Sequence, residues 1–247
     1  MISEAALLYD AHHARHTEDL AFWLGLAAAQ GGPILELGCG SGRVLLPLAR
    51  AGYAVFGLDL DFDVLESLKS RIASSPADRA SIFQGDMAAF CLGARFPLIT
   101  MPCNTLSTLS TKVLQNTLGN VQRHLAPGGL FAASLPNPVL FEQLPEVGEA
   151  EVEEIFTHPR SGNPVQASSS WDRSAQCFAM SWHYDHLLPD GTVHRSTVRA
   201  RHNLSKVEDY TQSLRSAGLF LEALYGDFNR GPYRPDSEHL ILIAGNM

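Results

Sequence analysis

Glycines at alternate positions directly after an apolar run are the feature of this chain that most plainly calls for chemistry. They lie in Ile34-Leu-Glu36-Leu-Gly38-Cys39-Gly40-Ser41-Gly42-Arg43. Without β-carbons the backbone turns sharply and a ligand can rest directly on the main chain, so the segment predicts a nucleotide-like ligand. The dinucleotide-binding spacing G-x-G-x-x-G sets its third glycine three residues after the second. Arg43 stands at that place, so this spacing fails, and a carboxylate, Glu36, sits two places ahead of the first glycine. Other reactive residue types give weaker signals. Cys39, Cys91, Cys103 and Cys177 are far apart with no C-x-x-C pair, so they read as free thiols rather than a zinc site or a disulfide framework. His183 and His186 form an H-x-x-H, but within a strand positions three apart face opposite sides of the sheet, and no metal is expected. His12, His13 and His16 read as surface residues of an amphipathic helix, with a place in an acceptor site as the alternative.

The elements that must position these residues follow from periodicity. Ala5 to Ala29 reads as one or two helices. Pro33 to Gly38 is a short strand running into the glycine turn, and Val44 to Ala51 a buried helix. Tyr53 to Leu60 is a second strand ending at Asp59 and Asp61, followed by an amphipathic helix over Val64 to Ala73. Strands are expected at Ala80–Gln84, Phe96–Met101 and Leu130–Leu135, with a helix over Thr111–Leu125 closed by Pro127-Gly128-Gly129. This alternation argues for a parallel sheet covered on both faces, because parallel neighbours need long crossovers and the helices supply them. After Pro138 the texture changes to four strands (Val152–His158, Val165–Asp172, Cys177–Leu188, Thr192–Leu204) separated by turns such as Asp190-Gly191. A helix over Val207–Ala217 and strands at Phe220–Tyr225 and His239–Ala244 close the chain. The expected class is doubly wound α/β: a mostly parallel seven-stranded sheet with an antiparallel β insertion before the last helix.

Glu36-Leu-Gly38-Cys39-Gly40-Ser41-Gly42 resembles the first motif of the class I S-adenosylmethionine-dependent methyltransferases, an acidic residue, a spacer and G-x-G-x-G. The resemblance covers Pro33 to Leu135 and the final helix and strands, and implies a Rossmann-like fold. It implies that Gly38, Cys39, Gly40 and Gly42 pass under the methionine part of the cofactor and that Glu36 helps position its amino group or the neighbouring backbone. A carboxylate suits a ligand carrying an ammonium and a sulfonium. It further implies that Asp59, with Leu60 beside it, accepts the ribose hydroxyls, Asp61 being the alternative that fits the strand end less well, and that Asp86 and Met87 in Gln84-Gly85-Asp86-Met87 meet the adenine. Thr100-Met-Pro102-Cys103-Asn104 would form the wall between cofactor and acceptor, with Pro102 against the cofactor. This last stretch departs from the Asn/Asp-Pro-Pro-aromatic pattern of nucleobase and amide methyltransferases, which turns the expectation away from those acceptors. Arg43 is expected at solvent or a helix end.

Composition narrows the partners. The chain has 247 residues and a formal net charge of −8, which opposes attraction to nucleic acid or anionic membrane. No apolar run approaches the roughly 20 residues of a membrane helix, and the N-terminus has no targeting pattern, so a cytoplasmic location is the expectation. Arg195, Arg199 and Arg201 share one strand face and read as a solvated surface or a subunit contact; a homodimer would form through the β insertion. The expected parts are an N-terminal helical lid (1–30), a cofactor-binding core (31–138 and 205–247) and an inserted β subdomain (139–204). Lid and insertion are rich in Tyr9, His13, Trp171, Trp182, His183 and Tyr184, which suits an enclosed pocket for a small-molecule amine or hydroxyl acceptor. Tyr9, His13, Asn104 and His183 are its candidate residues, no catalytic base is singled out, and S-adenosylhomocysteine is the expected product. The alternatives are a non-catalytic S-adenosylmethionine-binding protein and a nicotinamide-dependent oxidoreductase.

Overall fold

The computed structural model of the chain describes residues 2–74 and 79–246. Two N-terminal helices, α1 (Glu4–His13) and α2 (Leu20–Gln30), lead into β1 (Ile34–Leu37), α3 (Leu45–Arg50), β2 (Val55–Asp59), α4 (Phe62–Ala73) and β3 (Ala80–Gln84). The chain continues through β4 (Phe96–Met101), α5 (Thr105–Thr108), α6 (Thr111–His124), β5 (Leu125–Pro136) and α7 (Pro138–Glu142). Then come β6 (Val147–Thr157), β7 (Pro164–Arg173), β8 (Cys177–Leu187), β9 (Val193–Asn203), α8 (Val207–Ser216), β10 (Leu219–Tyr225) and β11 (His239–Asn246).

Seven strands form one sheet in the order β10-β11-β5-β4-β1-β2-β3, parallel except for β11, which runs against both β5 and β10. The chain steps from β1 outward to β2 and β3, then returns to β4 on the other side of β1. The order therefore reverses between β1 and β4, and the carboxyl ends of these strands flank the crevice where open α/β sheets place ligands. Alternation along β1 sends Leu35 and Leu37 to one face and Ile34 and Glu36 to the other. One face packs on Leu114, Leu118 and Val121 of α6 and Tyr210 and Leu214 of α8. The other packs on Phe22, Trp23 and Leu26 of α2, Leu45 and Leu48 of α3 and Leu65 and Leu68 of α4. The four remaining strands make an antiparallel sheet, β6-β7-β8-β9, and α1 lies against it, with Leu8 buried among Phe156, Val165, Ala167 and Tyr184.

The seven-stranded sheet and the antiparallel insertion match the expected fold class. Three local features differ. Helices α5 and α7 are too short to show a helical period. The Pro127-Gly128-Gly129 stretch does not close α6 but forms an irregularity inside β5, where the register jumps from Phe96↔Leu125 to Leu98↔Leu130. A β-carbon on Gly129 would lie 3.0 Å from the carbonyl oxygens of Ala126, Phe96 and Pro97, which is why glycine stands there. Arg195 and Arg199 are exposed and paired with Asp185 and Asp172.

Candidate active site

A cavity of about 1180 Å³ opens above the carboxyl ends of β1, β2 and β4 and is covered by α1 on one side and β8 and β9 on the other. Its floor is the glycine turn. The N–H groups of Gly38 and Cys39 both donate to the Leu58 carbonyl, and that of Gly42 to the Cys39 carbonyl, folding the turn back onto β2. All three glycines have positive φ (71°, 52° and 86°), which strains any other residue, yet their surroundings differ. A β-carbon on Gly42 would lie 2.6 Å from Leu68 and one on Gly38 2.9 Å from Thr105, whereas one on Gly40 would meet nothing within 4 Å and would project into open space. Gly42 is therefore a packing requirement, and Gly40 keeps a face of the main chain bare.

Two carboxylates flank the turn. Asp59, at the end of β2, accepts the Gly40 N–H on Oδ2 (2.8 Å) and the Asp61 N–H on Oδ1 (3.0 Å). Asp61 itself is the N-cap of α4, accepting from Asp63 and Val64. Glu36 is 2% exposed, and its Oε2 is buried without a hydrogen-bond partner. Burial, reinforced by the nearby Asp19 and Asp59 and opposed by Arg43, pushes the Glu36 carboxyl up to about 8. Such a group invites a cation or a donor to complete it.

Arg43 does not face solvent or a helix end. Its guanidinium pairs with Asp19 through both terminal nitrogens (2.6 Å each) and donates to the His16 carbonyl (2.7 Å), while Asp19 also accepts from the Trp23 indole (2.9 Å). Two planar, oppositely charged groups in bidentate contact are a strong pairing, and this one ties the α1–α2 connection to the glycine turn. Asp10 of α1 binds Ser41 of the turn, and Arg71 reaches both the Ser41 carbonyl (2.9 Å) and Asp10 (3.6 Å). The opposite wall carries two consecutive left-handed residues, Cys103 (φ 59°) and Asn104 (φ 62°), strain of the kind found at functional sites.

Above the turn, Tyr9 stacks on His13 (4.0 Å between centroids), and Trp182 stands edge-on to both, at 5.3 and 5.1 Å. His13 Nδ1 lies 3.0 Å from the Tyr9 carbonyl. A carbonyl can only accept, so Nδ1 carries the proton and Nε2 keeps its lone pair. Burial pushes His13 down to about 4 and the Tyr9 phenol up to about 12, so both are neutral at pH 7. His12 is not a surface residue: it is 4% exposed and lies between the Tyr184 hydroxyl (3.2 Å) and Glu153 (3.2 Å).

Glu36, Gly38, Cys39, Gly40, Asp59, Tyr9, His13 and Asn104 thus meet around one cavity. Gly42, Leu60, Asp86, Met87 and Pro102 are not among its lining residues. Leu60 is 68% exposed, Asp86 is exposed and caps its own turn through Ala88, and Pro102 is buried with its carbonyl held by Thr105. Met87 reaches the turn, its terminal methyl 3.6 Å from where a Gly38 β-carbon would stand. His183 is a correction. Because Trp182 faces the cavity, strand alternation turns His183 to the other face, where it bonds Ser170 and Thr197. Trp171 likewise packs on Gly148 and Phe178 rather than lining the cavity. His186 lies on the face opposite His183 and meets His158 and Glu4 instead. The two imidazoles are parallel (4°) and 4.1 Å apart. A metal must lie near the plane of each ring that binds it, so this stack does not suit a shared ion. Sequence reasoning did not find the Asp10–Ser41 and Arg43–Asp19 ties, which join segments 24 to 31 residues apart with no spacing signal.

Comparison with known proteins accords with this geometry. Residues 34–129 match the family model described as "Methyltransferase domain". A dTDP-3-amino-3,6-dideoxy-alpha-D-glucopyranose N,N-dimethyltransferase of Streptomyces fradiae is 27% identical over 231 residues, spanning 90% of this chain and 86% of the relative. A crystal structure of an S-adenosylmethionine-dependent methyltransferase from Clostridium acetobutylicum superposes with a TM-score of 0.81 at 14% identity, covering 97% of this chain and 96% of that one. The S-adenosylmethionine-bound structure of CalS10, an amino pentose methyltransferase from Micromonospora echinaspora, gives 0.75 at 20% identity and 97% coverage of both chains. Residues 34–129 thus match a methyltransferase domain in sequence, and the chain as a whole has the fold of S-adenosylmethionine-dependent methyltransferases of known structure.

Proposed function

We propose that the cavity holds S-adenosylmethionine on the glycine turn and that the enzyme transfers its methyl group to the amine or hydroxyl of a small-molecule acceptor lying beneath α1. The observation that carries this reading is the orphaned Oε2 of Glu36, buried at the wall of a cavity whose floor offers the bare main chain of Gly40. A ligand ammonium would complete that oxygen. Asp59 already spends one lone pair of each oxygen on a backbone N–H and keeps the others for the two ribose hydroxyls. Asp61 is occupied as a helix cap, which favours Asp59 for that role. Leu60 and Met87 would flank the adenine and Asp86 its amino edge, with Cys39, Gly38, Gly42 and Pro102 shaping the turn and the wall.

When bound, the cofactor would supply a methyl carbon activated by sulfonium to an acceptor that presents a neutral lone pair, its proton lost to solvent. The protein's part is alignment and exclusion of water. Helix α1, pinned by Asp10 and by the Arg43–Asp19 pair, closes the cavity from above. The free Nε2 of His13 accepts a hydrogen bond from the acceptor's N–H or O–H and so orients the lone pair away from it. Asn104, on the strained wall, provides a second polar contact.

The sugar-amine relatives favour an amine over a hydroxyl. The reading is tested by following conversion of S-adenosylmethionine to S-adenosylhomocysteine against a panel of small amines and alcohols. Amine-dependent product is the expected result. Cofactor binding with no turnover on any acceptor would instead mark a non-catalytic binding protein.

A further inference from the structure

The acceptor end of the cavity has an electrostatic character that bears on which amine it takes, given the methyl-transfer function proposed above. Among the described residues, eight aspartate and glutamate side chains, two arginines and no lysine line the cavity as a whole; Glu36, Asp59 and Asp61 lie by the glycine turn, Asp19 and Glu154 pair with the two arginines, and Glu153 stands beside His12 at the far end. Both arginines are already paired with a carboxylate. Arg43 is held by Asp19 and the His16 carbonyl, and Arg15 by Glu154 at 3.0 Å. Burial lowers the affinity of three of the cavity's imidazoles, His12, His13 and His202, for a proton. Glu153 and Glu154 of β6 remain about one-third exposed beside His12, adjoining the aromatic wall of Tyr9, His13 and Trp182. Ring faces and carboxylates side by side attract an organic cation and repel phosphate.

We infer that the acceptor is a phosphate-free amine that binds as the ammonium, its charge drawn by Glu153 and by Glu154, which Arg15 shares, and its apolar face laid on Trp182 and Tyr9. It loses one proton to solvent before its lone pair takes the methyl carbon and the carbon–sulfur pair returns to sulfur. The site is built against a nucleoside-diphosphate sugar of the kind named in the Streptomyces fradiae relative. A diphosphate entering here would find carboxylates and arginines already paired with them, so discrimination comes from repulsion as much as attraction.

The test compares one amino sugar with and without its nucleotide. The full-length protein is first saturated with S-adenosylhomocysteine in a calorimeter. It is then titrated with the methyl glycoside of 3-amino-3,6-dideoxyglucose and, separately, with its dTDP conjugate, at low and high salt. The expected result is at least tenfold tighter binding of the glycoside, with a preference that shrinks at high salt and in the Glu153→Gln/Glu154→Gln double variant. Tighter binding of the dTDP conjugate, binding of neither sugar, or a preference unchanged in the double variant would overturn the inference. The first titration separates the two levels: no S-adenosylhomocysteine binding defeats the cofactor reading itself, whereas cofactor binding followed by preference for the nucleotide sugar defeats only this one.

Discussion

Glu36 is the side chain whose state most affects what the site can do. With its carboxyl raised to about 8 by burial, it holds a proton at pH 7 in the free enzyme. An incoming ammonium favours the ionised form, so cofactor binding at pH 7 expels that proton. Affinity should therefore rise from pH 6 toward pH 8, and the binding enthalpy at pH 7 should depend on the ionisation heat of the buffer. Glu36→Gln should bind more weakly and lose both dependences; a wild-type affinity flat over this range would remove Glu36 from the ligand's surroundings. Asp59→Ala deletes hydrogen bonds that charge-assisted pairing values at about 1.5–3 kcal/mol each before water compensates, so a fall in affinity of at least tenfold is expected by calorimetry. Unchanged affinity would shift the ribose role to Asp61. Burial pushes the Cys39 thiol well above its ordinary range, and Cys39→Ala should leave turnover within a few fold. The place of Glu36 and Asp59 was implied by the resemblance of the glycine segment and strand end to a known motif, and both side chains do line the cavity. Arg43 was misjudged because its partner Asp19 lies 24 residues earlier, and no spacing rule connects them.

At the scale of elements, the glycine turn and helix α1 make separable claims. Gly42→Ala meets Leu68 at 2.6 Å with φ at 86°, so it should destabilise the fold by about 1–3 kcal/mol, lowering the melting temperature by roughly 2–4 °C per kcal/mol. Gly40→Val points into open space; apart from a modest backbone cost it should stay folded while losing cofactor binding. Equal melting of the two variants would show that the turn is uniformly structural. Removing residues 1–19 takes away Tyr9, His13 and the Asp10 and Asp19 ties. If α1 is a lid, cofactor binding should persist within a few fold while methyl transfer is lost as water enters. Equal loss of both would place α1 in the cofactor site proper. Sequence periodicity gave most strands to within a residue or two, since alternating strand and helix leave a clear signature. It could not say which face of β8 meets the cavity. His183 and Trp182 are equally plausible until the pairing Trp182↔Val198 and the packing of α1 fix the side.

Over the whole molecule, the order of the sheet follows from its connections, and the reversal between β1 and β4 brings residues 36, 40, 59 and 104 to one edge. The doubly wound class and the gathering of these residues at the carboxyl edge were legible, because parallel strands need helical crossovers; the strand order itself was not among the expectations. How the insertion and α1 close over that edge was not legible either, since it depends on side-chain ties across the cavity. No helix among the described residues is long and apolar enough to cross a membrane. The central claim is that this edge is one S-adenosylmethionine site, and titration calorimetry of the intact chain tests it most directly. S-adenosylmethionine and S-adenosylhomocysteine should each bind once, in the micromolar range, and neither should bind folded Gly40→Val. If neither ligand binds the wild-type chain while a nicotinamide dinucleotide does, the account is contradicted.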